Sequence, residues 1–166
     1  VDPDAQTITY RWDFGDGSAL SAQPNPSHQF NSPGNVPTNY LVTLTVTDSG
    51  GLWGSKILNI ALNDTPPVVN ITSPTNGTLY SVANASLFNL TASVTDAESS
   101  DAQLRYQWQT LIHHNDHTHV IATDTNHVSS TATEPIGCDG QNIYYFIVSL
   151  TVTDPLGLAT TKEVKL

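Results

Sequence analysis

Apolar and polar residues alternate with a period of two through several stretches of this chain. Tyr40, Val42, Leu44 and Val46 fall on one face, with Leu41, Thr43, Thr45 and Thr47 on the other. Phe88, Leu90, Ala92 and Val94 alternate in the same way with Asn89, Thr91, Ser93 and Thr95, as do Phe146, Val148, Leu150 and Val152 with Ile147, Ser149, Thr151 and Thr153. Ile8, Tyr10, Trp12 and Phe14 form a fourth such set. One buried and one wetted face is the pattern of antiparallel sheets packed as a sandwich. No segment carries a capped 3.6-residue stripe, so the fold expected is all-β.

The alternating segments belong to a unit that occurs twice. Tyr10-Arg11-Trp12 returns as Tyr106-Gln107-Trp108, and Val42 to Asp48 returns as Val148 to Asp154, followed by Gly51-Leu52 and Gly157-Leu158 respectively. Asn63-Asp64-Thr65-Pro66-Pro67 reads as a linker, because paired prolines stiffen the chain and block helix. The expected organisation is a unit over 1–62, a linker over 63–67 and a second unit over 68–166. The tryptophans are 96 positions apart and the aspartates 106, so the second unit holds about ten extra residues between those landmarks, a His-rich segment among them. The second unit has strand-like stretches at 68–72 and 86–95 before its tryptophan strand. The first begins at Val1-Asp2-Pro3-Asp4, which corresponds to the turn after the second of those stretches. Two tandem sandwiches are therefore expected, the first lacking its N-terminal strands, as a piece of a longer polypeptide or as the acceptor of a strand from a neighbour.

Residues 10–18, Tyr-Arg-Trp-Asp-Phe-Gly-Asp-Gly-Ser, resemble the signature of PKD domains, the immunoglobulin-like modules first named from polycystin. Thr45-Val46-Thr47-Asp48 and the following Gly50-Gly51-Leu52 match the later part of that pattern, so the resemblance covers 1–62. Residues 66–166 keep the Trp108 and Leu150–Asp154 strands but lose the Asp-Phe-Gly-Asp-Gly turn. They look PKD-like or Ig-like, and are similar to modules attached to secreted bacterial glucose/sorbosone-type dehydrogenases. The resemblance implies non-catalytic extracellular modules acting as spacers, adhesive units or substrate-binding accessories. The residues themselves give Trp12 as core and the Gly15-Asp16-Gly17 turn as architectural.

Composition narrows the partners. Of 166 residues 15 are acidic and 5 basic, a formal charge of −10, which argues against nucleic acid or anionic membrane as a partner. No apolar run is long enough to span a bilayer. Only 12% of residues are charged and the polarity comes from Thr, Ser and Asn, which fits an extracellular, cell-surface β-protein. Cys138 is single, which excludes an internal disulfide and leaves it as a buried small hydrophobe, an intermolecular bridge or a ligand.

Four sets of residues remain as candidates for chemistry. His113-His114-Asn115-Asp116-His117-Thr118-His119 is the densest. If the Trp108 strand runs on, His113, His117 and His119 lie opposite Trp108, and a His-x-His pair suits Zn2+ or Cu2+, with Asp116 or His114 completing a site if the strand ends in a loop. Asp2 and Asp4 in one turn, and Asp96, Glu98 and Asp101 in its equivalent, offer oxygen ligands to Ca2+. Trp53, after Gly50-Gly51-Leu52, is the candidate glycan platform in a loop. Asn63, Asn70, Asn76, Asn84 and Asn89 each begin a glycosylation pattern, and alternation puts Asn89 toward solvent. Neither a Gly-x-Ser-x-Gly elbow nor a His-Glu-x-x-His pair is present, so no enzyme is expected. The reading is a non-catalytic structural or adhesive module of a repeat-containing surface protein or filament, contacting other copies of itself or neighbouring repeats. The alternative is a metal- or carbohydrate-binding accessory module of a secreted enzyme.

Overall fold

A computed structural model describes residues 6–137 and 140–166. Asp2, Asp4 and Cys138 lie outside the described residues. The chain divides into two units, Val1–Asp64 and Thr65–Leu166, and the division falls between Asn63 and Pro67.

In the first unit, β1 (Ile8–Asp13), β2 (Thr38–Asp48) and β3 (Trp53–Leu62) form an antiparallel sheet in the order β1-β2-β3. Trp12 faces Leu44 across the ladder and Tyr10 faces Val46. The Asp13-Phe14-Gly15-Asp16-Gly17 segment then turns the chain out of β1. Asp13 Oδ1 accepts the Gly15 amide at 3.1 Å and Asp16 Oδ1 accepts the Ser18 amide at 3.0 Å. Gly15 has φ +74°, and a Cβ there would meet the Leu41 carbonyl oxygen at 2.6 Å, so only glycine fits. Asp16 Oδ2 holds His28 Nε2 at 2.7 Å, and His28 stacks on buried Phe14 with ring centroids 3.8 Å apart. Phe30 continues this aromatic column to Tyr40. The motif is architectural, as its sequence implied.

The second unit is a two-layer sandwich. One sheet has the order β10-β9-β6-β7 and the other β4-β5-β8. These strands are β4 (Val68–Ser73), β5 (Ser86–Thr95), β6 (Arg105–His114), β7 (His117–Asp124), β8 (Ser129–Thr133), β9 (Tyr144–Thr153) and β10 (Ala159–Lys165). Val69, Ile71, Leu90, Tyr106, Trp108, Val148, Leu150 and Val152 close between the layers. Trp108 is 1% exposed and Phe146, Val148, Leu150 and Val152 are fully buried. Each such side chain contributes about 1.5–3 kcal/mol to folding.

The repeat seen in the sequence is a repeat of register. Trp108 faces Leu150 and Tyr106 faces Val152, as their counterparts do in the first unit. Both long strands end at the same turn. Asp48 Oδ1 accepts the Leu52 amide, and Asp154 Oδ1 accepts those of Leu156 and Leu158, all at 2.9 Å. The ten extra residues of the second unit lie between β6 and β9, where β7 and β8 are found. In the first unit that stretch contains no strand among the described residues, but a 3-10 turn at Pro33–Asn35 and, at Ser21, an isolated bridge to Trp12.

Two expectations need correction. Trp12 is half-buried rather than core, with Nε1 donating to the Gln23 carbonyl at 3.1 Å. No described residue of the first unit supplies a second sheet over it of the kind that covers Trp108. Ser149, expected on a wetted face, is 5% exposed. It sits at the middle of its sheet, opposed to Gln109 on one side and Glu163 on the other.

Candidate metal centre

β6 and β7 form a hairpin whose turn consists of Asn115 and Asp116. Asn115 takes φ +53°, a conformation that asparagine tolerates better than most residues. Its side chain then ties the tip to the approach of β9. Nδ2 donates to Asn142 Oδ1 at 2.9 Å, and Oδ1 accepts the Ile143 amide at 3.2 Å. The Asn115 amide donates to the Ile143 carbonyl at 3.0 Å.

This turn decides which histidines meet. Across an antiparallel ladder, opposed residues point to the same face. His114 is opposed to His117, Ile112 to His119 and His113 to Thr118. His114, His117 and His119 therefore share the face that carries Trp108. The expected set of His113, His117 and His119 opposite Trp108 is overturned, because it needed an unbroken strand. His113 lies on the other face, stacked on Tyr145 at 4.3 Å, with Nε2 against the Asn115 carbonyl at 2.9 Å and Nδ1 3.4 Å from Thr118 Oγ1.

The three imidazoles each offer one nitrogen such that all three atoms lie within 4.8 Å of one another. His114 Nε2 and His119 Nε2 are 3.3 Å apart. Asp116 is not in this group. Its Oδ1 instead accepts His117 Nδ1–H at 2.9 Å, leaving His117 Nε2 free to point elsewhere. That hydrogen bond is the main reason the Asp116 carboxyl is held below its usual range. Desolvation, followed by the neighbouring charges of His117 and His119, pushes the His114 imidazole below its ordinary value, which favours the neutral form. His114 is half-buried, whereas His117 and His119 are exposed.

The acidic residues do not converge in this way. Among the described residues the histidine group alone brings three candidate ligand atoms of His, Cys, Asp or Glu together. Asp96 Oδ1 accepts the Glu98 and Ser99 amides. Glu98 Oε2 accepts the Thr65 amide and hydroxyl, and Asp101 accepts the Tyr106 hydroxyl while facing His127 at 3.7 Å. Each carboxylate is turned to a different donor.

Trp53 opens β3 rather than sitting in a loop, opposed to Thr47, and is 71% exposed. Asn63, Asn70, Asn76, Asn84 and Asn89 are all exposed, with Asn89 on the outer face of β5 as the alternation required. Asn76 Oδ1 also accepts the Lys165 amide at 2.9 Å. No helix among the described residues is long and apolar enough to cross a membrane.

Residues 1–61 match the family model described as PKD domain. A microbial collagenase of Vibrio alginolyticus is 41% identical over 72 residues, which is 40% of this chain. The chain spans only 8% of that protein's length. This match, to a collagenase, does not show the resemblance of residues 66–166 to sugar-dehydrogenase modules. Among solved structures, fibronectin(III)-like modules of Clostridium thermocellum CbhA align over 99% of this chain and 80% of theirs, at 15% identity and a TM-score of 0.41.

Proposed function

We propose that this chain is a non-catalytic accessory region of a longer extracellular protein, its β-units serving as spacer and adhesive modules toward neighbouring repeats or other copies of itself. The observation that carries this reading is the repeated register. Trp12 opposite Leu44 and Trp108 opposite Leu150, each followed by an aspartate-capped turn, are the same building element used twice. Repetition of a structural unit supports a mechanical or display role. The PKD match over residues 1–61 and the small fraction of the collagenase that the chain spans support an accessory part over a whole enzyme.

A specific observation favours a second reading. Trp53 is largely uncovered on a strand face, with Thr47 beside it and Thr9 beyond Thr47, a flat polar surface with one aromatic ring. Such a surface suits the apolar face of a sugar. Co-sedimentation with insoluble chitin, cellulose and collagen fibrils separates the two. A structural or adhesive module keeps the same retention when Trp53→Ala is introduced, while a carbohydrate accessory module loses it at least tenfold on the polysaccharides alone. Turnover of peptide, ester or glycoside substrates that follows the purified chain would overturn both.

A further inference from the structure

We propose that His114, His117 and His119 bind a zinc(II) ion through their three Nε2 atoms, stapling the tip of β6 to β7 and leaving a fourth coordination position toward solvent. Zinc–imidazole bonds are about 2.0–2.1 Å and tetrahedral, so two ligand nitrogens on one zinc stand about 3.3 Å apart. His114 Nε2 and His119 Nε2 already have that separation. One ring nitrogen of His117 lies within 4.8 Å of both, so rotation of its imidazole about χ1 and χ2 closes the set. His117 and His119 are exposed, so side-chain rotation proceeds without disturbing the core.

The backbone beneath is fixed. His114 is held on one side by Tyr144 of β9 and on the other by His117 of β7, and the turn is tied to Asn142 and Ile143. Asp116 supplies the outer support a metal-bound histidine ordinarily has. By accepting His117 Nδ1–H it fixes the tautomer, leaves Nε2 as the nitrogen with the free lone pair and makes it more basic. The His114–His119 contact of 3.3 Å is met either by one Nε2–H donating to the other Nε2 or by a cation between them. A cation shared by both satisfies both lone pairs. The all-nitrogen ligand set excludes the hard cations calcium and magnesium. The tetrahedral edge selects zinc over copper(II), which prefers a tetragonal arrangement.

Calorimetric titration of the chelator-stripped full chain with zinc chloride at pH 7.5 tests this. One zinc per chain is expected, with His119→Ala weakening binding at least tenfold and Asp116→Asn by about 10- to 100-fold. His113→Ala, His127→Ala and Cys138→Ser are expected to bind as the native chain does. X-ray absorption of the zinc-loaded native chain should show nitrogen or oxygen neighbours alone at 2.0–2.1 Å with imidazole scattering. No zinc uptake at 100 times the protein concentration overturns the proposal, as does loss of binding in Cys138→Ser, a sulfur shell, or a His113→Ala effect equal to that of His119→Ala. Uptake of copper(II) without zinc overturns the assignment of the metal.

Discussion

Replacing Gly15 and Gly17 separately by alanine isolates what the Asp-Phe-Gly-Asp-Gly turn contributes. Both glycines have left-handed backbones, φ +74° and φ +80°, so each substitution carries the cost of a Cβ in that conformation, about 1–2 kcal/mol. Part of this is offset in both by reduced freedom of the unfolded chain, about 0.4–1 kcal/mol. The surroundings differ. A Cβ on Gly17 has nothing within 4 Å, so Gly17→Ala should cost about 0.5–1 kcal/mol. A Cβ on Gly15 lies 2.6, 3.1 and 3.2 Å from the carbonyl oxygen, nitrogen and carbonyl carbon of Leu41. These atoms cannot swing aside as a side-chain tip would, because Leu41 is laddered to Asn59 within β2 and β3. Overpacking of this kind adds about 1–3 kcal/mol, so Gly15→Ala should cost about 3 kcal/mol in all. For a unit of this size the two variants should then differ by about 10–15 °C in the melting of the first unit. Indole N–H signals in proton–nitrogen NMR follow the units separately, with Trp12 and Trp53 reporting the first and Trp108 the second. The reasoning is refuted if the two variants melt within 3 °C of each other, or if the Trp108 signal shifts its transition with Gly15→Ala.

Two further outcomes follow from single contacts. Thr110 and Thr131 are 1% and 5% exposed and joined hydroxyl to hydroxyl at 2.8 Å between the layers of the second unit. Thr110→Val alone strands the Thr131 hydroxyl and should cost about 1–3 kcal/mol, whereas the double Thr-to-Val variant should cost less than the sum of the singles by at least about 1 kcal/mol; additive urea midpoints would contradict this. Asp16 is held well below the usual carboxylate range by hydrogen bonds from Ser18 and His28. Its unfolded carboxyl titrates near about 3.9, so its contribution is complete above that pH and drains away as pH falls toward the folded value. Melting of the first unit should decline below about pH 4, and Asp16→Asn should flatten that decline; parallel acid profiles for the two proteins would count against the reasoning.

Much of the fold was legible along the chain because extended backbone alternates its side chains without reference to anything distant. Phe146, Val148, Leu150 and Val152 are buried where their alternation put them, and Asn89 faces outward. The strands expected at 68–72 and 86–95 are Val68–Ser73 and Ser86–Thr95. The repeat was equally plain, since Asp48 and Asp154 cap their turns through atoms only two to four residues away. Local chemistry of that kind is written in local sequence.

The candidate metal site shows where this ends. Counting by twos through His113 to His119 assumes that the strand continues, and the count changes parity as soon as the chain turns back. Asn115-Asp116, a pair suited to a turn, was the signal available for the reversal. Once the hairpin forms, His114 replaces His113 and the whole group moves to the Trp108 face. Burial was still less accessible. Trp12 and Trp108 occupy the same register in matching Tyr-x-Trp strands, yet one is half-buried and the other 1% exposed. Sequence by itself determined the alternating strands and the repeated turns, because these depend on φ, ψ and neighbours a few residues apart. Only tertiary structure decided which faces are covered and which histidines converge, because both depend on strands that arrive from elsewhere in the chain.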